Sequence, residues 1–153
     1  MTHVHDLVGI GLGPFNLGLA ALADDAPADL DVHFLEQEPE FNWHEGMLIE
    51  DTTLEVPFLA DLVTMADPAN AHSYLNYLAD RNRLYDFYFY EEFFIPRREY
   101  NDYCRWVADR LSTLSFDSRV TDLREADGHF VVETVNTGTG ERTTSAADNV
   151  VMG

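Results

Sequence analysis

Asp6-Leu-Val-Gly-Ile-Gly-Leu-Gly-Pro-Phe-Asn-Leu-Gly-Leu-Ala-Ala-Leu22 decides the fold. Leu7, Val8 and Ile10 read as the end of a buried strand, and Pro14 to Ala23 as a helix packed back on it. Between them Gly9, Gly11 and Gly13 leave the backbone bare where the chain turns. Glycine permits positive φ and close approach, and a helix N-terminus offers free N–H groups and a positive dipole end, so such a turn suits a pyrophosphate. Gly9 and Gly11 fill the first two positions of G-x-G-x-x-G, and Pro14 stands at the third. Proline fits the first turn of a helix because its missing N–H would be unpaired there anyway. On its own the loop admits NAD, NADP or FAD.

Leu30-Asp-Val-His-Phe-Leu35 alternates like a second strand and ends at Glu36, which lies 23 positions past Gly13. An acidic residue about 20 positions past the loop meets the ribose hydroxyls, and it repels a 2′-phosphate. Glu36 therefore favours FAD or NAD over NADP. Ahead of the loop, His3 and His5 alternate on the first strand but have no third ligand nearby in the sequence, so they read as ordinary strand-end histidines and no metal site is expected. Phe41-Asn-Trp-His-Glu-Gly-Met47 is an aromatic turn whose Trp43 and His44 suit either a flavin ring or core packing.

Asp67-Pro68 is a helix-start signal, and Tyr74, Leu75, Tyr77 and Leu78 fall at helical spacing over Ala71–Ala79. Leu84 to Ile95, dense in Tyr and Phe, is expected to run extended. Pro96 opens a second amphipathic helix that reaches Leu111, with Tyr103, Trp106, Val107 and Arg110 on one side. Arg97 and Arg98 fit a surface pair or a contact to an anionic cofactor group. Short β segments follow at Ser118–Thr121, His129–Thr134 and Arg142–Ser145, spaced like a β-meander, and Asp148–Gly153 reads as a further buried parallel strand.

Five stretches together resemble the flavin-dependent N-hydroxylating monooxygenases, the lysine, ornithine and diamine N-monooxygenases of siderophore biosynthesis. They are Val8-Gly-Ile-Gly-Leu-Gly-Pro-Phe-Asn-Leu17, Phe41-Asn-Trp-His44, Pro57-Phe-Leu-Ala-Asp-Leu-Val-Thr64, Ser73-Tyr-Leu-Asn-Tyr-Leu78 and Arg98-Glu-Tyr-Asn-Asp-Tyr-Cys-Arg-Trp106. The resemblance implies an α/β, Rossmann-like, three-layer FAD-binding domain with a β-meander. It also implies an enzyme in which FAD is reduced by NADPH, reacts with O2 and passes oxygen to a primary amine. Gly9, Gly11, Gly13 and Pro14 would line the FAD pyrophosphate and Glu36 the ribose. Trp43 and His44 would sit near the flavin, with Glu55 where the family often has Gln. Val120 would offer its backbone to the adenine, and Arg97 matches an arginine near the nicotinamide and flavin.

Members that hydroxylate ornithine or lysine often carry a Lys in the Phe-Leu-Lys-Asp-Leu stretch, where it pairs with the amino-acid carboxylate. Here that position is Ala60. An unpaired carboxylate in a desolvated pocket is costly, which favours a decarboxylated diamine over lysine. The family also continues into an NADPH-binding domain and then returns to complete the FAD domain. Residues 1–153 are thus expected to be the N-terminal part of an FAD-binding domain, incomplete at the C-terminus, with the NADPH-binding domain absent and little activity alone. A homo-oligomer of the complete enzyme stays open. Two competing readings are a catalytically inactive truncated remnant and a small NAD-binding oxidoreductase. The second lacks any Tyr-x-x-x-Lys pair, since the chain has no lysine.

At 153 residues and 46% hydrophobic, the chain can build one core. No apolar run approaches the roughly 20 residues of a membrane span, and no basic n-region precedes an apolar stretch, so a cytoplasmic protein is expected. The lone Cys104 rules out an intrachain disulfide and reads as a small buried side chain. A net charge of −19 argues against nucleic acid as a partner. Nine Arg, no Lys and an acidic excess suggest a halophilic protein, whose self-repulsion is screened within about 3 Å at molar salt. The unfolding midpoint should therefore rise steeply between 0.1 and about 2 M KCl. Full stability at low ionic strength in a thermal melt would contradict this reading.

Overall fold

A computed structural model describes residues 3–153. Strand β1, Val4–Ile10, alternates its side chains between two apolar environments: Leu7 packs toward the helices and Val8 toward the opposite face. Helix α1, Pro14–Asp24, follows at once, with Gly13 as N-cap and Leu17, Gly18, Ala20 and Ala21 buried. Strand β2, Val32–Leu35, returns parallel to β1 in the register Val8↔His33 and Ile10↔Leu35. This is the β-α-β unit that the opening stretch predicts. A two-residue strand β3, Leu114–Ser115, extends it parallel to β2 and is not visible in the sequence pattern.

Between β2 and β3 lies the helical layer. Asp67 does not start a helix; its carboxylate turns back to the Ala69 N–H and the Asn70 side chain, and Asn70 makes a second such turn to the His72 N–H. These local bonds compete with helix formation. Helix α2, Tyr74–Asp80, starts three residues later than the periodicity suggests, at an N-cap Ser73 whose Oγ accepts the Asn76 N–H.

The expectation of an extended run over Leu84–Ile95 is half wrong, because Leu84–Tyr90 forms helix α3. Phe87 on its inner side packs edge-to-face on Phe58 and Tyr74, while Tyr85, Tyr88 and Phe89 stay exposed. One-sided packing at helical spacing here outweighs the strand preference of aromatic residues. Only after Glu91, in the left-handed conformation, does the chain extend; the Phe58 N–H then bonds to the Phe93 carbonyl and the Leu54 N–H to the Ile95 carbonyl.

Helix α4, Arg97–Ala108, buries Tyr100, Asn101, Tyr103, Cys104, Trp106, Val107 and Ala108. Tyr74, Tyr77, Tyr103 and Trp106 form one run of mostly edge-on and tilted rings. The Tyr103 hydroxyl donates to the His72 carbonyl at 2.7 Å and accepts the Leu62 N–H at 3.3 Å, so this buried ring leaves no polar atom stranded. Burial pushes the Cys104 thiol up, which keeps it protonated and inert, as its packing role requires.

The meander is longer than the sequence suggests. Strand β4, Ser118–Ala126, and strand β5, His129–Asn136, pair antiparallel around an irregularity between Val120 and Asp122. The two expected pieces at Arg142–Ser145 and Asp148–Gly153 are one strand, β6, Arg142–Met152, antiparallel to β5 at its start and parallel to β1 at its end. The sheet order is β3-β2-β1-β6-β5-β4. Val8, Leu35, Val132 and Ala147 form a second apolar cluster, which shows the meander curling over the sheet face opposite the helices. The result is three layers: helices, parallel strands and meander. No helix among the described residues is long and apolar enough to cross a membrane.

At the N-terminal end of β1, His3 and His5 do have a third partner: Asp31, in the loop before β2, accepts from both rings. Gly18 marks the tightest helix contact, since a Cβ there would fall 2.8 Å from the Leu62 carbonyl oxygen. In an ordinary helix Gly→Ala gains roughly 1 kcal/mol. Here Gly18→Ala should instead lower stability by about 1–3 kcal/mol in a denaturant titration, and an unchanged or raised midpoint would show that α1 can slide away from Leu62.

Candidate functional site

The C-terminal ends of β1 and β2, the N-terminus of α1 and the start of β4 surround a cleft of about 1180 Å³. Its floor is the glycine loop. Gly11 has φ +82°, a conformation that favours glycine, and a Cβ there would lie 2.8 Å from the Gly153 carbonyl oxygen. The loop is stitched on both sides, by the Gly11 N–H to the Leu35 carbonyl (2.9 Å) and by the Gly153 N–H to the Ile10 carbonyl (3.0 Å). Inside the turn the Asn16 side chain donates to the Gly11 carbonyl at 2.8 Å.

Gly13 is different. Its backbone is extended, at φ −79° and ψ 176°, and a Cβ would meet no atom within 4 Å. Because Gly13 lines the cleft, that Cβ would occupy the space a ligand needs. Just beyond it, Pro14 at the first helical position has no N–H, and the Phe15 and Asn16 amides belong to the first turn, where no intrahelical acceptor exists. The floor is thus a backbone cradle with an open lid and free donors, the donor set of a phosphate site.

Glu36 stands at the edge of this cradle. One carboxylate oxygen accepts the Leu12 N–H at 2.8 Å and the other accepts the Glu38 N–H at 2.9 Å. Each oxygen keeps capacity for a further donor, so two adjacent hydroxyls can be bound by a carboxylate already fixed in place. The Glu36 backbone in turn holds the meander: its N–H bonds to the Ser115 carbonyl and its carbonyl accepts the Ser118 N–H at 2.7 Å. That bond carries Ser118, Arg119 and Val120 to the cleft wall.

At the opposite end Trp43 and His44 line the cleft. The Trp43 N–H donates to the Asn101 Oδ1 at 2.8 Å, its ring meets Tyr100 edge-on at 5.1 Å, and the Arg97 guanidinium lies over it at 5.3 Å. Helix α4 therefore fixes this aromatic from behind. Ala60 lines the cleft from a loop knotted around Asp61, whose carboxylate accepts the N–H groups of Val63 (3.0 Å), Thr64 (2.6 Å) and Tyr74 (2.7 Å) and the Thr64 hydroxyl (2.7 Å).

Of the residues singled out from sequence, Gly11, Gly13, Pro14, Glu36, Trp43, His44, Ala60 and Val120 meet at this cleft. Three do not line it. A Cβ on Gly9 would strike the Phe34 ring at 2.1 Å, so this glycine answers to the packing of β1 on β2. Glu55 is exposed beside the lining residues Leu54 and Val56, and Arg97 contributes through Trp43. Sequence reasoning missed Asn16, Asp61, Tyr100 and Asn101 as site-builders. Each lies inside a quoted motif, but its role is a bond to backbone or ring that periodicity does not express.

Comparison with known proteins places this geometry. The sequence model described as L-lysine 6-monooxygenase/L-ornithine 5-monooxygenase matches residues 3–153. The chain is 53% identical over 139 residues to the rhizobactin siderophore biosynthesis protein RhbE of Rhizobium meliloti, covering 90% of this chain and 30% of that protein. It is 47% identical over 152 residues to a putrescine N-hydroxylase of Shewanella oneidensis, covering 98% and 30%. Among solved structures, the FAD-bound cadaverine monooxygenase DfoA of the desferrioxamine pathway in Erwinia amylovora superposes with a TM-score of 0.96 at 42% identity, over 99% of this chain and 36% of that one. The chain spans about 30% of the length of the curated relatives it matches. On the extent of that match, this chain belongs to the L-lysine 6-monooxygenase/L-ornithine 5-monooxygenase family.

Proposed function

We propose that residues 1–153 are the FAD-binding portion of an NADPH- and O2-dependent monooxygenase that N-hydroxylates a primary amine in siderophore biosynthesis, with the NADPH-binding unit lying outside these residues. The observation that carries this reading is the cradle at Gly13, bare of side chain, open above, and flanked by a carboxylate already locked to the Leu12 amide. The Phe15 and Asn16 amides would hold the pyrophosphate, and Glu36 would take the ribose hydroxyls. Trp43, braced by Tyr100 and Arg97, would offer its flat face near the flavin. FAD, when bound, would supply the redox chemistry, hydride acceptance and O2 activation. The protein's share is to bind, to orient the amine and to keep water out.

Substrate preference rests on Ala60. It lines the cleft at the position where, by the family resemblance, amino-acid hydroxylases often carry a lysine, and its methyl group offers no partner to a carboxylate. A diamine of the class named for the Shewanella putrescine N-hydroxylase and the Erwinia cadaverine monooxygenase suits this site better than lysine or ornithine.

Two measurements test these readings. Calorimetric titration with FAD should show binding by this chain, and Gly13→Val should weaken it about 100-fold, roughly 2.7 kcal/mol, while melting falls by only a few degrees. Unchanged affinity in a folded variant, or NAD bound in preference to FAD, would overturn the cofactor assignment. In the enzyme carrying its NADPH-binding half, Ala60→Lys should shift the ratio of kcat/KM for ornithine or lysine over putrescine upward by about tenfold or more. If the parent enzyme already turns over lysine more efficiently than the diamines, the substrate reading fails.

A further inference from the structure

At the end of the sheet opposite the cleft, where β1 begins, one side-chain cluster has no part in cofactor binding. His3, just ahead of β1, and His5 within it lie two residues apart and so share a sheet face; their rings meet edge-on at 4.7 Å. Both point at Asp31. The His3 Nε2 is hydrogen-bonded to one carboxylate oxygen, and the His5 Nδ1 lies 2.9 Å from the other. All three ligand atoms lie within 4.8 Å of one another.

We propose that His3, His5 and Asp31 form a binding site for a divalent transition-metal ion of the zinc class, with water as the fourth ligand. Two imidazoles and a carboxylate are a common donor set for such ions. A four-coordinate ion with bonds of about 2.0–2.2 Å spaces its ligand atoms about 3.3–3.6 Å apart, which is wider than the two imidazole–carboxylate contacts and within the 4.8 Å spread of the set, so small side-chain rotations bring the three ligands to it.

The site is also built. Asp31 is pinned at its backbone, where its carbonyl accepts the Asp6 N–H at 2.9 Å and the Leu7 N–H at 3.3 Å while its own N–H donates to the Asp6 carboxylate at 2.9 Å. Neighbouring His33 packs its ring on His5 at 5.3 Å and engages Ser115 Oγ through Nε2 at 2.7 Å, so it supports the His5 ring without joining the ligand set. The net charge of −19 further favours a cation.

At about 3.3 Å per residue, the six residues from His5 to Gly11 put this site roughly 20 Å from the glycine loop. Its effect is structural: an ion would tie the start of β1 to the entry of β2. The test is a titration of the chain, freed of any histidine tag, with CoCl2, followed by displacement with ZnCl2. One equivalent of cobalt should give the visible absorption of a four-coordinate site, and zinc should abolish it. Excess zinc should raise the melting temperature by about 5 °C. His3→Ala and Asp31→Asn, both at exposed or half-exposed positions, should each weaken binding about tenfold or more, whereas Gly13→Val should leave it unchanged. Absent cobalt absorption at millimolar metal, binding indifferent to Asp31→Asn, or binding that needs His3 alone would each overturn the site.

Discussion

Gly11, Asn16 and Gly153 interlock at the top of the sheet, and the cofactor-side geometry depends on that contact. The Gly153 carbonyl oxygen occupies the space a Gly11 side chain would take, and a Cβ on Gly153 would collide with the Asn16 amide at 2.5 Å. Asn16 meanwhile holds the Gly11 carbonyl. Three chain segments thus meet with no side-chain volume to spare: the loop after β1, the first turn of α1 and the end of β6. What brings the third segment there is the double pairing of β6, whose first half answers to β5 and whose second half answers to β1. A shift of one residue in that parallel register would turn the inward and outward faces of the strand over and pull Gly153 away from the loop.

The polar residues around the cleft do similar work. Asp61 gathers four donors, Asn101 holds the Trp43 backbone, and the Glu36 carboxylate ties Leu12 to Glu38. Each links a residue on a loop to backbone elsewhere, so the irregular walls of the site are set by hydrogen bonds in places where no helix or strand ladder reaches. Asn101 is buried with both its oxygen and its NH2 group bonded, which is the condition under which a buried amide rigidifies its surroundings instead of weakening them, and the buried Asn16 donates to the loop backbone. The apolar helical layer supports the site from behind, and these bonds aim it.

That division explains what could be read from the sequence. The strand–loop–helix turn, the strand that ends at Glu36, helix α1 and the buried face of α4 follow from local chemistry or from a regular period, and the structure forms these elements there, although Gly9 faces Phe34 and not the cleft. The departures share a cause. Helix α3 is helical because Phe87 has Phe58 and Tyr74 to pack on; β6 is continuous because β1 receives its second half; and Asp31 becomes a partner of His5 only when β2 lies beside β1. Each needs a residue at least 13 positions away in the chain, which windows of periodicity do not contain. Asp67-Pro68 failed in the other direction, since its side-chain bonds to the next residues were as local as a helix cap and competed with one.

The cations show how an acidic chain without lysine uses arginine. Arg105 pairs with Glu40 and Arg110 with Asp80 at the surface, where such pairs contribute about 0–1 kcal/mol and salt screens them further, whereas Arg83 grips the largely covered Glu99 carboxylate through two bonds. The lasting contributions are planar. The Arg110 guanidinium lies 3.8 Å from the Trp106 ring centroid, Arg97 lies 5.3 Å from Trp43, and Arg81 lies 5.9 Å from Tyr77. A flat, weakly hydrated guanidinium can cover a ring and still hydrogen-bond at its edge, as Arg110 does to Asp80 while the Trp106 N–H donates to the same carboxylate oxygen. A lysine ammonium at any of these positions would keep the charge and lose the stacked contact. Where salt screens charge, the contact is the part that persists, so the choice of arginine protects Trp106 in the core and Trp43 at the cleft by the same physics.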